Sequence, residues 1–402
     1  MTESGQPKIK DLKEDQVRKP AWLDILPYFL PTLLIIVNMI CSYQFNFFSI
    51  GIYFSFVVIP LIDSYMMPEN HKNLKEKELI GFEKDDRFLL PLYSHLILEY
   101  IFLYTNLYYI SQGVIGNSFS QFFGILSAQF SAGIVSGVIG HELIHKKPLR
   151  DKIFGTLFYS RFFYGHYFIQ HVSSHHKMIA TVHDASSGRL GEGFWPFFRR
   201  ALTQGIEVVW DFEKNRLAKE KKSPYTFENR LFSFITGQTI YYLMILIIFG
   251  KKAFLFHVAL ASLSMFALEV VNYVEHYGLE RKQDKNGNYE SIQNKHSWNT
   301  PEYLTGIINF KLQRHSDHHS NVYKPYQILS SFEESPMMPC GNLLATTIAA
   351  FHPSDWSKLM DPLAKAYNAN EKVSEEQKKI VEGLVLKHNI INAVLMTYLC
   401  FF

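Results

Sequence analysis

The chain has 402 residues, 48% hydrophobic, 15% aromatic and 19% charged, with a formal net charge of +3. That charge is too small to imply nucleic-acid binding. Three scattered cysteines, Cys41, Cys340 and Cys400, form no CxxC pair, which excludes a disulfide scaffold, a zinc ribbon and a rubredoxin-type site. The mean hydropathy of −0.03 is that of a soluble protein, but apolar and charged residues lie in separate blocks, so the expectation is one membrane-embedded unit.

Residues 1–22 form a polar N-terminal segment with Lys8, Lys10, Lys13, Arg18 and Lys19, and show no cleavable signal peptide. A membrane-embedded domain is expected over 23–375. A bilayer span needs about 20 mostly apolar helical residues, and six stretches qualify, at about 23–41, 46–62, 88–110, 119–140, 231–249 and 253–271. His95 and Glu99 in the third, and His257 and Glu269 in the sixth, should face protein rather than lipid. His95 and Glu99, one turn apart, read as a buried hydrogen-bonded pair.

Lys72, Lys75, Lys77, Lys84 and Arg87 follow the second span, whereas the connections after the first and third carry no Lys or Arg. The positive-inside rule then places both termini, and the segments 141–230 and 272–375, in the cytosol. Residues 194–221 read as an amphipathic helix, and 278–297 as a polar loop turning at Asn286-Gly287. In the C-terminal tail 376–402, the apolar stretch 390–402 reads as too short to cross and packs on the body. The fold class is all-α: a polytopic membrane protein of about six transmembrane helices, with a cytosolic helical cap carrying a histidine-rich di-metal site.

Of 17 histidines, thirteen fall between His141 and His319. Nine of these form four clusters at or beyond the cytosolic ends of spans: His141/His145, His171/His175/His176, Asn272–Leu279 with His276, and Leu312–His319 with His315, His318 and His319. Positions i, i+3 and i+4 share a helix face. His141 with His145, and His171 with His175, can therefore each grip one ion, while His315, His318 and His319 offer three rings on one side. Neutral imidazole suits iron, copper, nickel and zinc, and nine such groups exceed what one metal can use. Glu142, Glu275 and Asp317 lie inside the clusters as candidate acceptors for imidazole N–H groups, with direct ligation open to Glu142 or Glu275. His166, His183 and His296 read as supporting or structural; His71, His257, His352 and His388 as ordinary. The HExxH string at 141–145 alone also fits a zinc protease, and a metal transporter is a further alternative.

These strings resemble the integral-membrane alkane 1-monooxygenases (alkane omega-hydroxylases) of the membrane fatty-acid desaturase/hydroxylase superfamily. His141–Lys146 is similar to that family's HELxHK box, Asn272–Leu279 reads NYVEHYGL, His296–Asn299 reads HSWN, and Leu312–His319 reads LQRHSDHH. The second box, EHxxGHH in the family, has Gln170 and Ser174 in place of its glutamate and glycine, and the following ATPxDPA-like stretch is Ala180-Thr-Val-His183-Asp184-Ala here. The resemblance implies two non-haem irons held by His141, His145, His171, His175, His176, His276, His315, His318 and His319, and a hydrophobic tunnel rising through the helices.

An unactivated C–H bond has no acidic proton and no leaving group, so a redox metal that activates O₂ is needed. The implied reaction is hydroxylation of the terminal methyl of a medium- or long-chain alkane or similar apolar chain. Related chemistries, a xylene-type monooxygenase, a fatty-acid hydroxylase or a desaturase, stay open. Spans one to three, with Ser55 as a small residue, are expected to wall the tunnel. The chain has no haem motif or convincing dinucleotide fingerprint, so two electrons must come from an external carrier. The resemblance points to rubredoxin with its NAD(P)H reductase; ferredoxin or cytochrome b5 are alternatives. Lys146, Lys147, Arg150, Lys152 and Arg161 form a basic stretch for an acidic carrier. The bacterial inner membrane and the endoplasmic reticulum both fit.

Overall fold

The computed structural model describes residues 17–65, 72–300 and 302–401; His71 lies outside them. Among these residues there is no β-strand, only two isolated bridges. The bundle is built from α1 (Trp22–Gln44), α2 (Ile50–Tyr65), α3 (Asp86–Ser111) and α4 (Phe119–His145), followed by α5 (Leu149–Ser160). A short irregular helix, α6 (167–178), and the amphipathic α7 (Phe194–Lys219) come next.

Arg230–His276 is helical over 47 residues. A straight helix of that length would measure about 70 Å, more than twice the roughly 30 Å hydrocarbon core. It breaks at Gly250, whose φ of 79° an L side chain resists, into α8 (230–249) and α9 (251–276). These two halves contain the stretches 231–249 and 253–271 expected as the fifth and sixth spans, within one of the five helices long and apolar enough to cross a membrane. The cap adds α10 (Leu304–Ile308), α11 (His315–Ser320), α12 (Asn342–Phe351) and α13 (Pro353–Ala369), and the last helix is α14 (Glu375–Phe401).

The helix ends follow local chemistry. The Ser118 hydroxyl accepts the Gln121 N–H at the start of α4, and the Asn229 side chain does the same for Leu231 at the start of α8. Within 278–297 the turn falls where expected, with Gly287 at φ 82°. The stretch expected as the second span lies mostly in α2, an apolar helix of 16 residues that is shorter than the five helices long enough to cross a membrane, with a π-helical turn at Phe54–Val58.

Two apolar cores bracket the histidine-bearing end of the bundle. One includes Tyr28, Phe88, Phe310 and Tyr326; the other includes Phe197, Tyr273, Tyr277 and Trp356. A third, with Leu103, Leu107, Ile125 and Phe256, fills the opposite half.

Three features differ from the sequence expectation. First, α14 is one helix of 27 residues, long and apolar enough to cross a membrane. Its start is charged, with Glu375, Glu376, Lys378, Lys379 and Glu382, and midway along it Lys387 and His388 are tied to Asp355 of α13 at 2.6 and 2.8 Å. Second, Glu99 does not pair with His95. It meets Arg161 at 2.6 Å and accepts from Gln129 at 2.8 Å, while His95 Nε2 lies 3.3 Å from the Ala132 carbonyl oxygen. All four polar groups named in the spans, His95, Glu99, His257 and Glu269, are buried. Third, Arg161 leaves the expected basic stretch, because α5 and the following turn pack along the bundle. The Tyr159 hydroxyl donates to the Gly137 carbonyl, and the Tyr242 hydroxyl of α8 donates to the Arg161 carbonyl. Arg161 is only 2% exposed and packs on Phe158, Phe162 and Tyr100, so it belongs to the interior and not to a basic docking surface.

Candidate metal centre

All nine candidate histidines are buried and meet in one region, at the ends of α4 and α9 and on α6 and α11. Each element contributes for a local reason. On α4, Gly133, Gly137, His141 and His145 recur every four residues and share a face. In α6, residues Gln170–His175 form a π-helical turn, whose i→i+5 bonding shifts the register by one.

The rings divide into two groups. His141, His145, His171, His176 and His318 place ligand nitrogens within 4.8 Å of one another. His171 Nε2 lies 2.8 Å from that of His141, 3.1 Å from that of His145 and 3.0 Å from that of His176. A ring nitrogen carries either one proton or one lone pair, so one nitrogen cannot be satisfied by three such neighbours. Donors held around a cation at about 2.0–2.1 Å stand roughly 3 Å apart, which is the spacing observed. The second group contains His175, His276, His315 and His319. His315 Nε2 is 3.1 Å from His276 Nε2 and 3.0 Å from His319 Nε2. Glu275 joins it, 3.4 Å from His315. The groups adjoin, with His176 and His319 stacked at 4.4 Å.

This partition departs from the helical-face expectation. His171 does not share a site with His175. The π turn instead brings His171 and His176, five apart, into the first group and sends His175 to the second. In α11 the three rings also split: His315 and His319 face the second group, and His318 the first.

Burial and mutual repulsion hold His171, His176, His315, His318 and His319 well below the usual imidazole pKa. They are therefore neutral at pH 7, the form that binds metal. Six rings also bury an Nδ1 atom without a hydrogen-bond partner, those of His145, His171, His176, His276, His315 and His319. A cluster of neutral imidazoles in a dry site, with lone pairs converging, fits cations of the iron, copper and zinc type.

The three acids inside the boxes behave differently. Glu142 binds Lys146 at 2.6 Å and accepts the Tyr326 backbone N–H at 3.2 Å. Asp317 binds Lys324 and the Ser330 N–H, both at 2.6 Å. Only Glu275 of the three joins a group, and it accepts from Asn342 at 3.1 Å. The acid that sequence reading missed is Asp184, whose Oδ2 takes the His175 Nδ1 contact at 2.8 Å. Burial opposes the Asp184 charge, but His175, Ser187 and the Ser186 N–H outweigh it and hold the carboxyl below its usual pKa. Its place in the ATPxDPA-like stretch was the available signal.

Gln170 donates to Ser186 at 3.3 Å and packs on Gly205 of α7. The HSWN stretch works as a strap. The Trp298 N–H donates to the Glu275 carbonyl, its indole to the Tyr277 carbonyl, and Asn299 accepts the Ser316 N–H at the start of α11. His296 itself bonds Glu290, at 3.3 Å. His166 packs on Tyr164 and His183 is exposed; neither enters the groups.

A mostly apolar cavity of about 1070 Å³, mouth included, reaches this centre. Gly133, Gly137, Ser264 and Leu268 of α4 and α9 line it, and so do His141, His171 and His315 of the centre. Ser55 lines a different cavity, of about 530 Å³, among α1, α2 and α4, which none of the nine rings touches. The cavity at the centre is walled by α4 and α9 together with Phe158, Tyr164 and Tyr167 of the α5–α6 segment and Leu343 of α12.

The family model for fatty acid desaturases matches residues 117–339. Alkane 1-monooxygenase of Pseudomonas putida is 30% identical over 368 residues, covering 89% of both chains. Alkane 1-monooxygenase 2 of Pseudomonas aeruginosa is 36% identical, over 62% of this chain and 67% of its own. The hydroxylase component of xylene/toluene monooxygenase of Pseudomonas putida is more distant, at 24% identity over 59% of this chain and 62% of its own. The chain belongs to the fatty acid desaturase family and, within it, to the alkane 1-monooxygenases; it is an integral-membrane oxidoreductase.

Proposed function

We propose that this member of the alkane 1-monooxygenases hydroxylates the terminal methyl of medium- or long-chain alkanes, or similar apolar chains, at a non-haem di-iron centre. The balance is one alkane, one O₂, two electrons and two protons giving one alcohol and one water. The observation that carries it is the nine-imidazole centre, three of whose rings line a mostly apolar cavity. His141, His145, His171, His176 and His318 hold one iron in this reading, and His175, His276, His315 and His319 with Glu275 the other. The irons supply O₂ activation when bound.

The protein's own part is positional. An alkane offers nothing to hydrogen-bond, so shape selects it, and a narrow cavity between α4 and α9 presents a chain end to the centre. Tyr167, stacked on His171 at 4.8 Å, fixes that ring. Asp184 orients His175 and stabilises the tautomer whose Nε2 faces the cation. The two electrons come from an external carrier of the rubredoxin, ferredoxin or cytochrome b5 type with an NAD(P)H reductase, docking on the cytosolic face. A zinc protease is less well supported, because the glutamate of the HExxH string is engaged by Lys146 and Tyr326.

The deciding experiment is purification with metal quantification, then incubation with an alkane series, a reducing system and ¹⁸O₂. About two irons per chain and one labelled oxygen in a primary alcohol are expected. An alkene without label would make the protein a desaturase, and one zinc with no oxidation would return the protease reading.

A further inference from the structure

The proposed reaction takes up two protons per turnover, and the nine rings are buried, so protons need a way in from water. A separate cavity of about 1280 Å³, mouth included, lies behind the centre. Asp63 of α2, Glu302, Cys340 and Gly341 of the cap, and Lys378 and Glu382 of α14 line it. Lys378 and Glu382 are exposed, as is Tyr65 beside them, so the mouth is aqueous. Asp63 and Glu302 are its two buried acids.

The two acids are held differently. Both Asp63 oxygens accept backbone N–H groups, from Leu304 at 2.5 Å and from Thr305 at 2.8 Å, which favours its charged form. Glu302 uses a single oxygen. Its Oε2 accepts from the Thr300 hydroxyl at 3.2 Å and from the Asn342 N–H at 3.1 Å. Its Oε1 lies against Gly341, where a Cβ would overlap it. Burial first, and the Asp63 charge second, raise the Glu302 carboxyl to about 7. Burial pushes the Cys340 thiol up and keeps it neutral. Glu302 is thus the group on this cavity that gains and loses a proton near neutral pH.

Asn342 joins this acid to the centre. Its backbone N–H bonds Glu302, its side-chain Nδ2 donates to Glu275 Oε1 at 3.1 Å, and it lines the cavity that His141, His171 and His315 also line. Its Oδ1 is buried with no protein partner, and a buried acceptor of this kind is satisfied by water. The Glu302 side chain itself bonds Thr300 and Asn342 and none of the nine rings. A single residue therefore separates an acid on an aqueous cavity from the cavity at the centre.

We propose that Glu302 is the proton inlet of the centre, loaded from water in the cavity beside Lys378 and Glu382 and unloaded across Asn342 toward Glu275. The inference rests on the proposed function. In each turnover the O–O bond breaks, one oxygen enters the substrate C–H bond, and the other leaves as water. That water carries the two protons delivered by this route, and the external carrier supplies the two electrons. Glu302 touches neither substrate nor metal; it fixes where protons enter, and solvent reprotonates it after each transfer.

The first test is single turnover of full-length, iron-loaded protein, reduced beforehand and mixed with O₂ and alkane, so that the carrier's own pH dependence drops out. Glu302→Gln should keep its iron and lose about a hundredfold in rate, the low end of what a positioned proton donor contributes. The wild-type rate should fall as pH rises through about 7, where Glu302 loses its proton, whereas Glu302→Gln should be slow and flat. Glu302→Asp should recover most of the rate and the pH dependence. Val385→Trp, which narrows the same cavity from α14, should slow the wild-type reaction severalfold. Ile390→Trp, on the exposed face of that helix, should not. An unchanged rate in Glu302→Gln, or a slow rate that keeps the wild-type pH profile, overturns the inlet.

The second test needs no turnover. Infrared spectra of the metal-free protein are titrated with pH, and the Glu302 carboxyl band is identified by its loss in Glu302→Gln. The band should be present in acid and disappear near about 7. A carboxyl already ionised in acid, or one still protonated in alkali, overturns the inlet whatever the enzyme makes. An alkene product would remove the hydroxylation reading but leave both tests decisive, because desaturation also takes up two protons for each O₂.

Discussion

Asp184 Oδ2 sits 2.8 Å from His175 Nδ1, with both side chains buried. The contact turns the remaining nitrogen of His175, which has no other partner, toward His276 and His319. A carboxylate behind a metal-binding imidazole typically contributes 10- to 100-fold in affinity or activity. Asp184→Asn should therefore lower iron content toward one per chain while leaving the first group loaded. Elemental analysis of the purified variant checks this, and two retained irons would contradict it.

The division of the nine rings makes a second prediction. His318→Ala should remove the iron of the five-histidine group, and His319→Ala that of the other, although the two residues are adjacent. Each variant should keep about one iron, with distinct Mössbauer spectra for the two. Identical spectra would mean a single shared site.

Acidification should destabilise the metal-free protein. His171, His176, His315, His318 and His319 are held below the ordinary imidazole value. Above about pH 6.5 both folded and unfolded forms are neutral, and the shift has no effect. As pH falls below 6.5, the unfolded chain takes up protons that the folded form refuses, at about 1.4 kcal/mol per unit and per histidine. Thermal unfolding of metal-free protein in detergent should show a midpoint that drops steeply from pH 7 to pH 5. A flat profile would mean that the rings protonate freely.

Arg161 and Glu99 form an ion pair inside the bundle. Removing one partner from a buried pair costs about 3–5 kcal/mol, because the other charge is stranded, and replacing both with apolar residues costs less. Arg161→Met should lower stability more than the double variant Arg161→Met/Glu99→Leu. Unfolding midpoints of the three proteins decide it.

The last helix predicts a topology. α14 leaves the cap at Asp355, its Asn392 donates to the Phe56 carbonyl, and Phe401 packs on Phe47 and Tyr53. Phe47 lies between α1 and α2, at the end of α2 away from Asp63, which accepts the N–H groups of Leu304 and Thr305. Cys400 should therefore react with an impermeant thiol reagent from the membrane face opposite the histidines. Labelling from the histidine face would place the whole helix on that side.

The chemistry was legible in the amino-acid order because it is carried by short strings. His141–Lys146, Asn272–Leu279 and Leu312–His319 identify the family, and the uncharged runs locate α1 to α4, α8 and α9, since a bilayer demands length and apolarity that composition alone reveals. Which ring joins which neighbour was not legible. Helical periodicity pairs His171 with His175, but the π turn moves the register by one and pairs His171 with His176. Asp184 stands in the ATPxDPA-like stretch, but only the folded chain shows that it meets His175. Cavity walls are also a matter of packing: the cavity that meets the rings is lined from α4 and α9, while Ser55 lines a separate one beside α2. Local sequence thus determines the donors and the spans, while the division of donors and the path to them depend on how distant helix ends meet.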